Sequence, residues 1–313
     1  MEITASDKFT PPQPLNMAVL FLVFNRLDPT KQVFEAISQA KPPRLYVAAD
    51  GARVNKKGEA DKAQAVRDYI MQNIDWKCEV KTLFREENLG CKYAVSGAIT
   101  WFFENEEMGI ILEDDCLPSQ SFFWFCETLL EKYKNDERIG IISGSYYFFN
   151  YKDRDESYYF SAVPFIWGWA SWKRVWNKYD VHMKKYVDFK KQKKIESLFY
   201  TKNAIKYWEN SYDATYAGNI NTWDYQFSFS VISNNLINII PTQNLISNIG
   251  FGEDATHTSS AVHQHSNMKK HDVDFPLIHP IKIERSKELD IKFEKEAFKS
   301  TNIIKKILNR MFK

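Results

Sequence analysis

Met17–Phe24 reads MAVLFLVF, an unbroken apolar run that stops at Asn25-Arg26. A half-exposed strand would alternate apolar and polar residues. A continuous run instead fits a strand buried on both faces, as parallel sheets require. Upstream, residues 1–16 hold Pro11, Pro12 and Pro14 with little periodicity, and read as an extended lead-in. Downstream, Pro29 suits the first turn of a helix, and Pro29–Ala40 carries helical spacing.

The same alternation continues. Arg44–Ala49 (RLYVAA) reads as a strand ending in Asp50-Gly51, and Asp61–Gln72 as a helix. Glu79–Phe84 is a third strand, and Leu89–Glu104 a helix opening near Asn88-Leu89-Gly90. Gly109–Leu112 (GIIL) is a short apolar strand that runs into Glu113-Asp114-Asp115. Ser119–Lys134 is helical and Ile139–Ser143 strand-like. Strands alternating with helices predict an α/β fold with a mostly parallel sheet flanked by helices. After about residue 150 no clean repeat continues, and aromatics and lysines dominate Tyr151–Trp208.

Composition narrows the classes. The 313 residues suffice for one large domain, and 44% apolar with 26% charged is ordinary for a globular chain. Aromatics reach 15%; most serve core packing, but flat rings also suit sugars and bases. A formal charge of +2 supplies no global basic field, which argues against nucleic acid as a partner. Cys78, Cys91, Cys116 and Cys126 make no C-x-x-C pair or zinc spacing. Lacking a secretory signal or a spanning apolar stretch, the sequence carries the expectation of a reducing, cytoplasmic location.

Ligands of open parallel sheets bind beyond the carboxyl ends of the strands. Three predicted strands end there in polar residues: Asn25-Arg26, Asp50-Gly51 and Glu113-Asp114-Asp115. Adjacent carboxylates repel one another, and a divalent cation taking oxygen ligands relieves that repulsion. A diphosphate would add oxygens to the same ion. A solvated acidic turn is the competing reading of the triad.

The run GIILEDDCLPSQSFFWF (109–125) resembles the metal-site segment of N-acetylglucosaminyltransferase I and its relatives. The resemblance extends through VLFLVFNR, LYVAADG, NLGCKYAVSGAI, FIWGWASWKRVW and NTWDYQFS, across most of residues 17–260. It implies an inverting enzyme of the glycosyltransferase A type, with a Rossmann-like sheet, a UDP-sugar donor and Mn2+ or Mg2+. A glycan or lipid-linked acceptor would supply the hydroxyl. By matching residues, Asp115 would coordinate the metal, and Glu113 and Asp114 would hold the ribose or metal-bound waters. Asp50 would hydrogen-bond the uracil, with Asn25 and Arg26 near the nucleotide. Asp224 falls at the catalytic base, although the family carries two acids after the Trp and this chain has Asp224 then Tyr225. Residues 17–150 would form the nucleotide-sugar half and 151–290 the acceptor half.

Inversion needs a carboxylate to take the acceptor's proton, and Trp223 and Tyr225 would desolvate Asp224. The plainer reading makes Asp224 the N-cap of a helix over Tyr225–Ile232; the two are compatible. Ile166–Trp176 holds four tryptophans; Trp167 and Trp169 are the candidates for lining the donor and acceptor pocket, against a buried aromatic cluster. Gly250–His257 (GFGEDATH) reads as a lid over bound donor. His257 is a candidate metal ligand there, with Glu253 and Asp254 as alternatives.

Lys184–Lys194 reads as a solvated basic face. Within a tail placed at 291–313, Phe298–Lys313 has five basic residues, no acid, and apolar residues at helical spacing. That pattern suits an anionic membrane surface, placing the protein peripherally on its inner face, and equally a docked terminal helix. A sugar-nucleotide pyrophosphorylase would share the fold but needs a glycine-rich loop after its first strand, where this chain reads FNRLDPT. A non-catalytic carbohydrate-binding protein would need neither the acid triad nor the βα layout. A glycoside hydrolase would need opposed carboxylates, such as Asp224 and Glu253.

Overall fold

A computed structural model describes residues 9–147, 154–250 and 267–298. Its first half is β1 (Ala18–Val23), α1 (Leu27–Ala40), β2 (Arg44–Ala49), α2 (Glu59–Gln72), β3 (Glu79–Phe84) and α3 (Gly90–Asn105). Then come β4 (Met108–Glu113), β5 (Cys116–Pro118), α4 (Ser121–Lys132) and β6 (Ile139–Ser143). The second half holds β7 (Tyr158–Ser161), β8 (Trp169–Trp172), α5 (Lys173–Trp176) and α6 (Tyr186–Lys191). It continues with α7 (Lys202–Tyr216), α8 (Asp224–Ser233), β9 (Ile237–Pro241), β10 (Ile246–Asn248) and α9 (Lys287–Ala297).

The main sheet runs β3-β2-β1-β4-β8-β6-β9-β7. Strands β3, β2, β1 and β4 are mutually parallel, as are β6 and β9, while β8 and β7 run against their neighbours. The architecture is thus α/β, with a mostly parallel sheet. Every residue of β1 is buried, which explains why its sequence does not alternate. Each Leu or Phe so buried contributes about 1.5–3 kcal/mol relative to exposure. Helix α3 packs on β1 and β2, and α4 packs on β4, β6 and β8.

This strand order positions the candidate site. The chain builds β1, β2 and β3 outward in one direction, then returns so that β4 lies on the other flank of β1. The crevice of a doubly wound sheet opens at such a reversal. In register, Leu22 of β1 lies beside Glu113 of β4. Residues following those two positions, far apart in sequence, therefore leave the sheet side by side.

Strands β7, β8 and β9 complete the same sheet, with β8 inserted between β4 and β6. The halves split at residue 150 thus share one layer. A second, aromatic-rich cluster, including Tyr207, Trp208, Tyr212, Tyr225 and Phe229, joins α7 and α8 to the sheet. The lead-in runs along α4: Trp124 Nε1 donates to the Gln13 carbonyl at 2.7 Å, and the Phe9 ring lies 5.4 Å from that of Trp124. Helix α9 crosses residue 290, and buried Glu294 accepts from the N–H groups of Tyr200 (2.9 Å) and Thr201 (2.6 Å). Among the described residues no helix is long and apolar enough to cross a membrane. The basic tail beyond residue 298 lies outside them.

Candidate active site

Arg26 follows β1 and opens α1 with extended backbone (φ −111°, ψ 91°). Its guanidinium donates to Asp114 Oδ1 and, at 2.9 Å, to Asp115 Oδ2. Glu113 is the last residue of β4, and Asp114-Asp115 form the turn into β5. Of the three acids, Glu113 is thus held by the strand itself, and Asp114 and Asp115 by an arginine 88 and 89 residues away in sequence.

The electrostatics follow from crowding. Burial raises the Glu113 carboxyl well above the usual range, and Asp115, Asp114 and Asp224 add repulsion; Arg26 only partly opposes this. Burial raises Asp114 as well, offset by Arg26 and reinforced by Asp115. For Arg26, burial alone would lower the pKa, but Asp114 and Asp115 more than reverse it. One guanidinium thus balances a turn whose acids would otherwise resist sharing the space.

Asp224 is the first residue of α8, and its charge is among those that raise Glu113. Burial pushes its carboxyl up to about 6, against hydrogen bonds from Thr222 Oγ1 and the Tyr225 N–H (2.7 Å), both to Oδ1. The expected N-cap role is not what forms. Asp224 is itself the first residue of α8, Trp223 precedes it in helical conformation, and its side chain bonds the next residue rather than a later turn. The Cys91 thiol, in the first turn of α3, is raised by burial and then by the charges of Glu113, Asp224 and Asp50. Nothing in its spacing marked Cys91 beforehand.

Asp50 also has a structural task. Its oxygens accept from Gly51 N–H, Asn88 Nδ2, Leu89 N–H and Gly90 N–H, all at 3.0 Å on their shortest contacts. The carboxylate thereby fastens the end of β2 to the start of α3. Gly51 belongs to this junction: a Cβ there would lie 2.4 Å from the Glu87 carbonyl carbon. Asn25 donates to Glu59 at 3.0 Å, and Glu59 also pairs with Arg53.

The tryptophan expectations divide. Trp169 is only 1% exposed in β8, stacked on Trp223 at 6.1 Å and packed on Phe227 at 5.0 Å. It is core rather than pocket lining, because β8 is an internal strand and its side chains are covered. Trp167 is partly buried; its carbonyl accepts from Ser145 Oγ at 3.0 Å and its ring meets Tyr147 edge-on at 5.8 Å. Glu253, Asp254 and His257 lie outside the described residues. Gly250 does not. A Cβ on it would sit 2.1 Å from Asp115 Oδ2, so only glycine lets this backbone press on that carboxylate. The Ile249 N–H also donates to the Asp115 carbonyl at 2.8 Å.

Among the described residues no three His, Cys, Asp or Glu side chains gather to hold a metal ion. Arg26 engages both Asp114 and Asp115, and Asp115 is the more exposed of the two, 18% against 7% for the side chain, so it is the carboxylate an ion could reach. Its hard oxygens suit Mg2+ or Mn2+, provided the ion draws its remaining ligands from a bound diphosphate and water. On those terms the residues fit the metal.

No protein-family model matches the chain, and no curated protein sequence matches it. Several solved structures overlay on part of it. TarS 1–349 of S. aureus is 10% identical, with a TM-score of 0.36, covering 53% of this chain and 50% of that one. The glycosyltransferase GlyE of Streptococcus pneumoniae TIGR4 is 10% identical, with a TM-score of 0.31, covering 74% and 56%. A UDP-glucose pyrophosphorylase complexed with UDP-glucose is 12% identical, with a TM-score of 0.27, covering 49% and 64%. The matched region thus spans less than two thirds of each. Overlaps this partial assign no activity, which has to be argued from the site.

Proposed function

We propose that the chain is an inverting glycosyltransferase of the A type, related to N-acetylglucosaminyltransferase I, that moves a hexose or N-acetylhexosamine from a UDP-sugar to a hydroxyl of a glycan or lipid-linked acceptor. One observation carries the reading. At the reversal of strand order, Arg26 holds Asp114 and Asp115 beside Glu113, and Asp224, a carboxylate raised to about 6, is a further charge acting on Glu113.

Each group then has a task. Asp224 Oδ1 is occupied by Thr222 and Tyr225, so Oδ2 receives the acceptor's proton. A base with a pKa near 6 is ionised at neutral pH yet basic enough to share a proton in the transition state. The acceptor oxygen bonds to the anomeric carbon as the bond from that carbon to the diphosphate oxygen breaks, and the electron pair leaves with UDP. Arg26 offers the departing diphosphate a planar, charged donor. Asp115 would hold a divalent cation, which when bound neutralises diphosphate charge. Glu113 and Asp114 shape the ribose side of the crevice, and Asp50 fixes the loop beside it.

A pyrophosphorylase is the rival reading. Its triphosphate needs a cradle of backbone N–H groups, and the turn from β1 to α1, Phe24–Leu27, has no glycine to form one. A thermal-shift screen of nucleotide sugars with Mn2+ tests the proposal, because a ligand of the native state raises its stability. A UDP-sugar should raise the melting temperature and be slowly hydrolysed. Stabilisation by a nucleoside triphosphate plus sugar phosphate instead would favour the rival.

A further inference from the structure

We infer that Arg26 is the resident cation of the acid turn, and that it keeps divalent metal out until a nucleotide diphosphate draws the guanidinium away. The inference rests on the proposed use of a metal and a nucleotide at this site. Its observations are geometric. Arg26 spans the turn, reaching Asp114 Oδ1 and Asp115 Oδ2 with the same nitrogen. Asp114 is 5% exposed, so it has little solvent with which to replace a lost partner. Gly250 also lies against this carboxylate of Asp115: a Cβ on it would fall 2.1 Å from Oδ2, the oxygen that Arg26 engages.

A metal ligated by Asp115 Oδ2 would compete with Arg26 for that oxygen. A metal approaching Asp115 must repel the guanidinium at short range in a poorly solvated site, where such repulsion is strong. Removing Arg26 without replacement would strand the buried Asp114 carboxylate beside Asp115, which is also unfavourable. The exchange becomes feasible when a diphosphate arrives, because it gives the arginine a new anion and gives the metal further oxygens. Binding of metal and nucleotide is then mutually dependent, each favouring the other by the same factor. The empty enzyme is held without a loosely bound ion.

The test measures Mn2+ binding to the full chain by the loss of the free-ion paramagnetic resonance signal. It uses wild type, Arg26→Met and Arg26→Lys, each with and without UDP. Without UDP, Arg26→Met should bind Mn2+ at least tenfold more tightly than wild type, and Mn2+ alone should raise its melting temperature but not that of wild type. Arg26→Lys keeps the charge but not the planar fork, and should lie between. Should Arg26→Met not fold, the Arg26→Lys comparison decides: tighter Mn2+ binding than wild type supports the inference, and equal binding overturns it. With UDP, wild type should gain at least tenfold in Mn2+ affinity. Equal Mn2+ affinity of wild type and Arg26→Met without UDP, including no binding by either, would overturn the inference. The arms without UDP do not involve sugar transfer, so failure of this gate and failure of the transferase reading are separately visible.

Discussion

Replacing Asp224 with Asn removes one charge from the crevice and keeps the shape. Its side-chain oxygen can still accept from Thr222 Oγ1 and the Tyr225 N–H. What disappears is the strain of an ionised carboxylate in a poorly solvated place. Burial raises Asp224 from 3.8 to about 6, so the folded protein binds that proton more tightly than the unfolded chain does. A displacement of that size corresponds to about 3 kcal/mol, an upper bound for a side chain that is not fully enclosed. The sign follows. Above pH 6 the wild type carries the full penalty. As pH falls from about 6 to 3.8 the native carboxyl takes up its proton and the penalty shrinks. Below 3.8 both states are neutral and it vanishes. Asp224→Asn should therefore be more stable than wild type by about 1–3 kcal/mol at pH 7.5, and the two should converge near pH 3.5. Urea unfolding at both values, with unchanged m, measures this. Equal stability at pH 7.5, or a difference independent of pH, would refute the argument that burial raises this carboxyl. Gaining stability while losing activity is the pattern expected of a strained functional residue.

Two further outcomes follow from single contacts. Gly250→Ala puts a methyl group 2.1 Å from Asp115 Oδ2, so either the carboxylate or the chain must shift; metal-dependent UDP affinity, measured calorimetrically, should fall at least tenfold. Asp50→Ala strips the N–H groups of Leu89 and Gly90 of their acceptor, which should cost about 1–2 kcal/mol in urea unfolding.

Sequence order alone made the first half of the fold legible, for a physical reason. Strands such as β1 are buried on both faces, and helices such as α1 on one, so each writes a distinct period into the chain. The second half was harder. Strand β8 is only Trp-Ala-Ser-Trp, too short for a period, and its place between β4 and β6 is set by long-range pairing. The acid turn and Asp224 were visible as residue types in suggestive positions. Their environment was not. Arg26 meets Asp114 through the order of strands, and Asp50 caps a helix that begins 40 residues later. Trp169 illustrates the opposite error, since a ring suited to sugar also suits a core, and only burial separates the two. Gly250 stood in a glycine-flanked stretch, but its contact with Asp115 could not be read from spacing.

The central claim is that Asp224 performs the chemistry while Asp115 secures the donor. Calorimetric titration of UDP-sugar with Mn2+, paired with single-turnover sugar transfer, tests it on Asp224→Ala and Asp115→Ala. Asp224→Ala should bind donor within about threefold of wild type and slow transfer by roughly 10²–10⁴-fold. Asp115→Ala should lose metal-dependent binding. Normal transfer by Asp224→Ala would contradict the account.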